Sequence, residues 1–300
     1  MTPGRSRPLL VILAGGKARR YGGCKPLAPV GPAGEAMVDM VASDALSAGF
    51  GTLVVVIGPS TGPAIRYHVT HRWPRDVEVH FALQHTARGT VDAVLAAAAH
   101  LPASEPFGVA NADDLYGIGA LSLLAGHLEA RTPDSALVGF RLRSATIGTA
   151  PVTRGVCALD AEGLLTGIDE RRHVRPVDGG RFVAGDDRHP AELSGDTLVS
   201  MNLWGFTPAV RPRLVEAMDA AGGDPDADAE VLLPEMVGQL LNKGDESSRF
   251  RVLPTDSRCV GVTHPDDLSL VQADIAGQIG RGERPAQLWS GPPPPRAAIA

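Results

Sequence analysis

The sequence predicts an α/β fold in which a mainly parallel central sheet is flanked by helices on both faces. Apolar runs of strand length alternate with segments of helical pattern up to residue 131, and this rhythm favours parallel strands joined by helices. The first apolar run, residues 8–12, leads directly into a loop of glycines and alanines that carries cations. After residue 135 the apolar runs become shorter, which indicates a smaller β-rich part.

Strands and helices are predicted to alternate regularly in the first half of the chain. The strands are residues 8–12, 52–57, 77–84 and 105–112, and the helices are residues 36–48, 90–101 and 119–131. Gly49 ends the first helix, and Thr90 is the expected N-cap of the second. Ligands of such sheets bind at the carboxyl ends of the strands, so the loops that follow these strands are the first candidates for a functional site.

Shorter strands and three further helices are predicted for the second half. The strands are residues 135–142, 155–160, 164–170, 197–206 and 250–254, and the helices are residues 208–220, 229–241 and 264–280. Residues 160–163 have the composition of a hairpin turn, residues 222–228 are a predicted loop, and Pro265 suits the first turn of the last helix. The proline-rich tail at residues 285–300 is expected to be disordered or to form polyproline II.

Composition limits the partners of this chain. Its formal net charge of −6 argues against nucleic acid as a ligand, and no apolar stretch has the length that a membrane span requires. The cysteines, Cys24, Cys157 and Cys259, are few, odd in number and widely spaced. This usage predicts reduced thiols and a cytoplasmic location rather than disulfides or a zinc site.

The loop after the first strand has the composition of a phosphate-binding loop. Residues 13–25 read LAGGKARRYGGCK, with Arg20 and Lys25 as cations. Small residues let backbone N–H groups approach an anion, and the cations supply positive charge where phosphates would lie. An ordinary strand-to-helix turn with solvated arginines is the alternative.

Two further segments carry residues suited to recognition or catalysis. Gln84 ends a strand and Gly89 precedes a helix, so the amide and a nearby backbone could read the edge of a pyrimidine. Asp113 and Asp114 end an apolar strand, and neighbouring carboxylates of this kind commonly hold a divalent cation such as Mg²⁺. The alternatives are a surface glutamine and a helix-capping aspartate beside a solvated one.

Together these three segments resemble the sugar-1-phosphate nucleotidylyltransferase family of the nucleoside-triphosphate transferase superfamily. The resemblance extends roughly to residue 280 and is nearest to a bacterial subgroup with Tyr-Gly-Gly at residues 21–23 and Gly-Pro-Ala-Gly-Glu at residues 31–35. It implies a Rossmann-like, GT-A-like fold. It also implies one domain over residues 1–284, with a nucleotide-binding half at residues 1–135 and a sugar-phosphate-binding half at residues 136–284.

The resemblance also implies a role for each matching residue. Arg20 would hold the triphosphate and stabilise the leaving pyrophosphate, Lys25 would contact phosphates at the reacting centre, and Asp113 would bind Mg²⁺. The nucleotide would be held by Leu13, Ala14, Gly15, Gly16, Gln84, Gly89 and Thr90, and the sugar phosphate by Gly155, Glu170, Arg171 and Asn202.

The chain departs from the family pattern at the metal site and in the first loop. Ala18 replaces a usual glycine, and Cys24 replaces a usual proline. Many relatives supply a second metal carboxylate or an asparagine where this chain has Gly261 or Thr263. The metal ligands expected here are therefore Asp113 and Asp114, with the hydroxyl of Thr263 as a weak neutral ligand.

The expected reaction is in-line attack of a sugar 1-phosphate on the α-phosphorus of a nucleoside triphosphate, with UTP or dTTP favoured by the spacing from Gln84 to Gly89. Two rivals stay open: a glycosyltransferase of related fold that uses a nucleotide sugar, and a non-catalytic regulatory subunit that binds a nucleotide. The expected partners are the triphosphate and the sugar 1-phosphate, and the residues leave open whether the chain forms a homo-oligomer.

Overall fold

The computed structural model describes residues 7–16, 23–222, 230–262 and 266–289. In these ranges the strands are β1 Leu9–Ala14, β2 Thr52–Ile57, β3 Glu78–Leu83, β4 Phe107–Asn111, β5 Asp114–Leu115, β6 Ser135–Arg141, β7 Val152–Leu159, β8 Leu165–Val177, β9 Arg181–Val183, β10 Glu192–Ser194, β11 Leu198–Phe206, β12 Phe250–Thr255 and β13 Val260–Gly261. The helices are α1 Met37–Ser47, α2 Gly62–Arg72, α3 Thr90–Ala96, α4 Ile118–Ala130, α5 Arg211–Ala220, α6 Leu233–Leu240 and α7 Asp267–Gly280.

The predicted fold class is confirmed, with four parallel strands at the heart of the sheet. They are arranged in the order β3-β2-β1-β4, and β1 lies between β2 and β4. The sequence of β1, LLVILA, is apolar almost throughout because both of its faces are covered, as is usual for parallel strands that helices flank on both sides. Next to β4 the sheet continues with antiparallel β11, then β6, and then β12 parallel to β6.

The helices form two layers, one on each face of the sheet. Apolar residues of α1, α2, α4 and α7 pack in one core cluster, and those of α3, α5 and α6 pack in the other. Alternate residues of β1 separate accordingly, since Leu10 and Ile12 face the first cluster while Leu9 and Val11 face the second. Among the described residues, no helix combines the length and apolar character that crossing a membrane requires.

A second, antiparallel region branches from the sheet at β11. The first residues of β11 pair with β7, whereas its last residues pair with β4, and the register changes between Ser200 and Trp204. From β7 the strands β8, β9 and β10 follow in antiparallel order. The hairpin turn predicted at residues 160–163 is present between β7 and β8, where Gly163 adopts φ 79°. This region is the smaller β-rich part that the sequence predicts.

The second helix begins at the predicted residue, but its N-cap and its end differ from the prediction. It was predicted over residues 90–101, but α3 ends at Ala96 and a 3-10 turn follows over Ala98–His100. The N-cap is Gly89, whose φ of 95° suits glycine, and Thr90 is already helical rather than capping.

Other differences arise where an element has little apolar pattern. Helix α2 escaped prediction because Ile65 and Val69 are its only buried apolar side chains. The strand predicted at residues 164–170 continues as β8 to Val177, and β9 and β10 were not predicted. Most of the predicted loop at residues 222–228, the predicted start of the last helix at residues 264–265 and the tail from residue 290 lie outside the described residues.

A buried ion pair ties the segment after α7 to α1. Arg284 donates to both carboxylate oxygens of Asp44, at 2.5 and 2.6 Å, and both side chains are almost completely buried. Arg284 also donates to the amide oxygen of Gln278 in α7. Burial raises the pKa of Asp44, and the guanidinium of Arg284 opposes that rise. Because removing one partner leaves an isolated buried charge, either single substitution should be costly.

We therefore expect Arg284→Met and Asp44→Leu each to lower the free energy of unfolding by about 3–5 kcal/mol, and the double variant to lose less than the sum. Urea denaturation of the four proteins measures this. Glu283→Gln, which removes an exposed ion pair with Arg281 nearby, is the control and should leave stability unchanged. Additive losses in the double variant would contradict a coupled buried pair.

Candidate functional site

The carboxyl ends of β1, β2 and β3 converge at two glycines and a glutamine. A Cβ atom added to Gly58 would lie 2.8 Å from the carbonyl oxygen of Gly15, and one added to Gly15 would lie 2.8 Å from Oε1 of Gln84. These close approaches explain why side chains are absent at both glycines. Leu13 and Ala14 are the last residues of β1 and directly precede Gly15. Of these three predicted nucleotide-binding residues, Gly15 is the one that the structure places against Gln84. Gly16, the fourth, has open space where a Cβ atom would be.

The side-chain amide of Gln84 is buried and held in one orientation. Its Nε2 donates to the carbonyl oxygen of Gly89 at 3.1 Å and to Oδ2 of Asp92 at 2.9 Å. Its Oε1 faces Gly15, and both hydrogen bonds of this side chain with described residues are made by Nε2. The amide therefore offers an acceptor, and no spare donor, to anything bound between it and Gly15.

Gly89 and Thr90 fasten the residues after Gln84 to the chain before α6. A Cβ atom on Gly89 would lie 2.4 Å from the carbonyl oxygen of Val231, so only glycine allows this approach. The hydroxyl of Thr90 accepts a hydrogen bond from Leu233 N–H at 2.8 Å. Both residues thus have contacts that fix the shape of this loop, whether or not they also contact a nucleotide.

Lys25 and Asp113, predicted separately as catalytic residues, form an ion pair. Nζ of Lys25 lies 3.4 Å from Oδ2 of Asp113, although 88 residues separate them in the chain. Lys25 begins a 3-10 turn, Lys25–Leu27, which buried Pro26 stiffens, and Asp113 follows β4. The pairing of β4 with β1 brings the two loops together, since Ala112 N–H donates to the carbonyl oxygen of Leu13.

Asp114, the neighbour of Asp113, lies in a half-buried polar cluster with Asn111. Its Oδ2 accepts a hydrogen bond from Nδ2 of Asn111 at 2.9 Å, and its Oδ1 lies 2.2 Å from where a Cβ atom on Gly261 would be. Burial and the neighbouring carboxylate of Asp113 raise the pKa of Asp114 from 3.8 to about 6. Glycine at position 261, noted above as a departure from the family pattern, is therefore what leaves room for this carboxylate.

A chain of hydrogen bonds links Asp114 to the bulge in β11. Trp204 Nε1 donates to Asn202 Oδ1 at 2.6 Å, Asn202 Nδ2 donates to Asn111 Oδ1 at 2.8 Å, and Asn111 donates to Asp114. Asn202 adopts φ 60°, a left-handed conformation that asparagine tolerates. Asn111 escaped sequence prediction although it lies in the same strand-end segment as the two aspartates. Its position two residues before Asp113 was the available signal.

The remaining predicted sugar-phosphate residues lie on β7 and β8 and differ in accessibility. Gly155 pairs with Ser200 of β11 and with Glu170 of β8, which places it next to the bulge that contains Asn202. Glu170 is exposed and forms an ion pair with Arg172 at 2.8 Å.

Arg171, by contrast, is buried in a structural role. Its guanidinium donates to both carboxylate oxygens of Asp186 and to the carbonyl oxygens of Arg188 and Pro190. Hydrogen bonds from Arg171 hold the pKa of Asp186 well below its usual range. A phosphate could reach this guanidinium only by displacing Asp186.

Two predicted site residues, Arg20 and Thr263, lie outside the described residues. Within the described ranges, no group of three or more His, Cys, Asp or Glu side chains is arranged to hold a metal ion. Asp113 is a half-exposed carboxylate with Lys25 as its neighbour. It could thus supply a single carboxylate ligand, which suits an ion that takes its other ligands from substrate and water.

The raised pKa of Asp114 predicts a stability change with pH. The folded state binds the proton of this carboxyl more tightly than the unfolded state, so folding loses stability as pH rises through this range. Asp114→Asn should remove this loss. Between about pH 4.5 and about pH 7.5, its free energy of unfolding should therefore rise by about 2 kcal/mol relative to that of the parent. Unfolding in urea with a chelator present measures it. Asp76→Asn, at an exposed position, is the control. Free energies of unfolding that change with pH in parallel for Asp114→Asn and the parent would contradict the expectation.

Comparison with protein families matches residues 10–149 to the model described as the MobA-like NTP transferase domain. No curated protein matches the chain. The matched segment contains the glycine loop, Gln84 and its partners, and the Lys25–Asp113 pair. The match supports a nucleotidyltransferase function, and residues 10–149 are similar in sequence to a MobA-like NTP transferase domain.

Proposed function

We propose that this protein is a nucleotidylyltransferase that joins a sugar 1-phosphate to UTP or dTTP and releases pyrophosphate. The single observation that carries the proposal is the Lys25–Asp113 ion pair, 3.4 Å long, where β4 ends next to β1. A cation and a carboxylate at one sheet edge are the groups that phosphates and their metal ion require. The family match to residues 10–149 supports the same class of reaction.

The nucleobase would lie between Gly15 and Gln84. Oε1 of Gln84 is an acceptor, because both N–H groups of the amide are engaged by Gly89 and Asp92. Uracil and thymine carry an N–H donor on the edge that would face this oxygen. This complementarity supports UTP or dTTP as the nucleotide.

Asp113 fits a magnesium ion, since Mg²⁺ in such sites takes one or two carboxylates and completes its coordination with phosphate oxygens and water. When bound, the ion would neutralise charge on the phosphates. Asp114, whose Oδ2 already accepts a hydrogen bond from Asn111, would be the second carboxylate at the ion. Thr263 would be the neutral ligand implied by the family resemblance.

The protein side chains would act by position and charge rather than by proton transfer. A sugar 1-phosphate is already ionised, so its oxygen can attack the α-phosphorus without a general base. Lys25 would contact phosphate oxygens at the reacting centre, and Arg20 would hold the pyrophosphate that leaves. The sugar would lie against Gly155, Glu170 and Asn202, next to the bulge of β11.

A pyrophosphate-release assay tests the proposal directly. The parent protein is incubated with Mg²⁺ and each pair from a matrix of UTP, dTTP, CTP, ATP and GTP against common sugar 1-phosphates. We expect release with UTP or dTTP and at least one sugar 1-phosphate. Nucleotide binding without release across the matrix would contradict transfer and favour a regulatory subunit. Turnover of a nucleotide sugar without pyrophosphate would favour the glycosyltransferase.

Replacing Lys25 should separate catalysis from folding. We expect Lys25→Ala to reduce kcat by at least about 100-fold, because it removes one preorganised charge from the reacting centre. Lys243→Ala, which removes a surface lysine paired with Glu216 at 3.3 Å, is the matched control and should keep the parent rate. A Lys25→Ala variant within a few-fold of the parent would end the assignment of this residue.

A further inference from the structure

The carboxylate of Asp92 is one of two acceptors that bind the side-chain amide of Gln84. A glutamine side chain can place its oxygen and nitrogen in either of two arrangements, and its partners select between them. Here the nitrogen faces two acceptors, the carbonyl oxygen of Gly89 at 3.1 Å and Oδ2 of Asp92 at 2.9 Å. The reversed amide would set its oxygen against both of them, and one of the two is a carboxylate.

Asp92 is in turn held by Arg88. Nη2 of Arg88 lies 3.2 Å from Oδ1 of Asp92, one turn away on the same segment. The two carboxylate oxygens therefore have separate partners, one the guanidinium and the other the Gln84 amide. Since Arg88 can only donate, an amide at position 92 would turn its oxygen towards Arg88 and its NH₂ group towards Gln84.

We propose that Asp92 is a specificity-determining positioning residue, which fixes Gln84 Oε1 as an acceptor and thereby selects, among pyrimidines, those that present an N–H donor. Uracil and thymine are selected because the imide edge of their ring carries an N–H donor. Cytosine is disfavoured because the ring nitrogen on the same edge is itself an acceptor. Asp92 acts through Gln84 and does not contact the base. The inference rests on the proposed function in that the nucleotide lies between Gly15 and Gln84.

The test compares binding of UTP and CTP in the presence of Mg²⁺ and without a sugar phosphate, by calorimetry. The parent should bind UTP at least about tenfold more tightly than CTP, the scale expected when a buried hydrogen bond is replaced by an unpaired group. In Asp92→Asn the NH₂ group at position 92 favours the reversed Gln84 amide. The affinity ratio should therefore fall to within about threefold, a change that a general loss of stability would not cause.

Two further variants keep the result interpretable. Arg88→Met combined with Asp92→Asn frees the oxygen at position 92 to accept from Gln84 again, so the double variant should regain the preference for UTP. Asp219→Asn, which makes the same charge change at an exposed position of α5, is the matched control and should keep the parent ratio.

The outcomes separate this inference from the proposed function. An unchanged ratio in Asp92→Asn, or a parent that binds CTP as tightly as UTP, would overturn the inference even if the parent releases pyrophosphate. A parent that prefers UTP and loses this preference in Asp92→Asn, but releases no pyrophosphate with any sugar phosphate, would overturn the proposed function and leave the inference standing. A parent that binds none of these nucleotides would overturn both.

Discussion

The pairing of β1 with a parallel neighbour on each side is the constraint on which the site depends. With β2 and β4 both parallel to β1, three carboxyl strand ends meet at one edge, and β3 adds a fourth. The apolar faces of β1 are covered by both helix layers, so its register is fixed by burial on two sides. The packed strands thus fix the positions of the loops that follow them, and this places Lys25 next to Asp113.

The antiparallel region branches from this core at an irregularity in β11. At the bulge of β11 the strand changes partners, and Asn202 adopts its left-handed conformation there. The bulge is also where hydrogen bonds run from Trp204 through Asn202 and Asn111 to Asp114. One backbone feature therefore positions both the predicted sugar-binding surface and the carboxylates beside the phosphate loop. Such co-location is common for bulges, which re-aim side chains at functional sites.

The sequence predicted the elements whose apolar pattern is strong and the residues whose role depends on local chemistry. The apolar pattern predicted the buried strands and most helices. The proximity of Lys25 to the aspartates followed from placing both at the carboxyl ends of neighbouring strands. Helix α2 and strands β9 and β10 have too few apolar residues to be predicted from the sequence pattern alone. The engagement of Arg171 by Asp186, and of Asp114 by Asn111, could not be predicted, because neither depends on spacing along the chain.

The ion pair between Asp44 and Arg284 has a consequence for the order in which the protein is assembled on the ribosome. The two residues are 240 positions apart, so at translation rates of 5–20 residues per second the arginine emerges roughly 10–50 s after the aspartate. During that interval the first helix has no cation for the carboxylate that the finished core encloses. The nascent amino-terminal region must keep that carboxylate in contact with water or protonated, and its final closure waits until the segment that carries Arg284 has been synthesised.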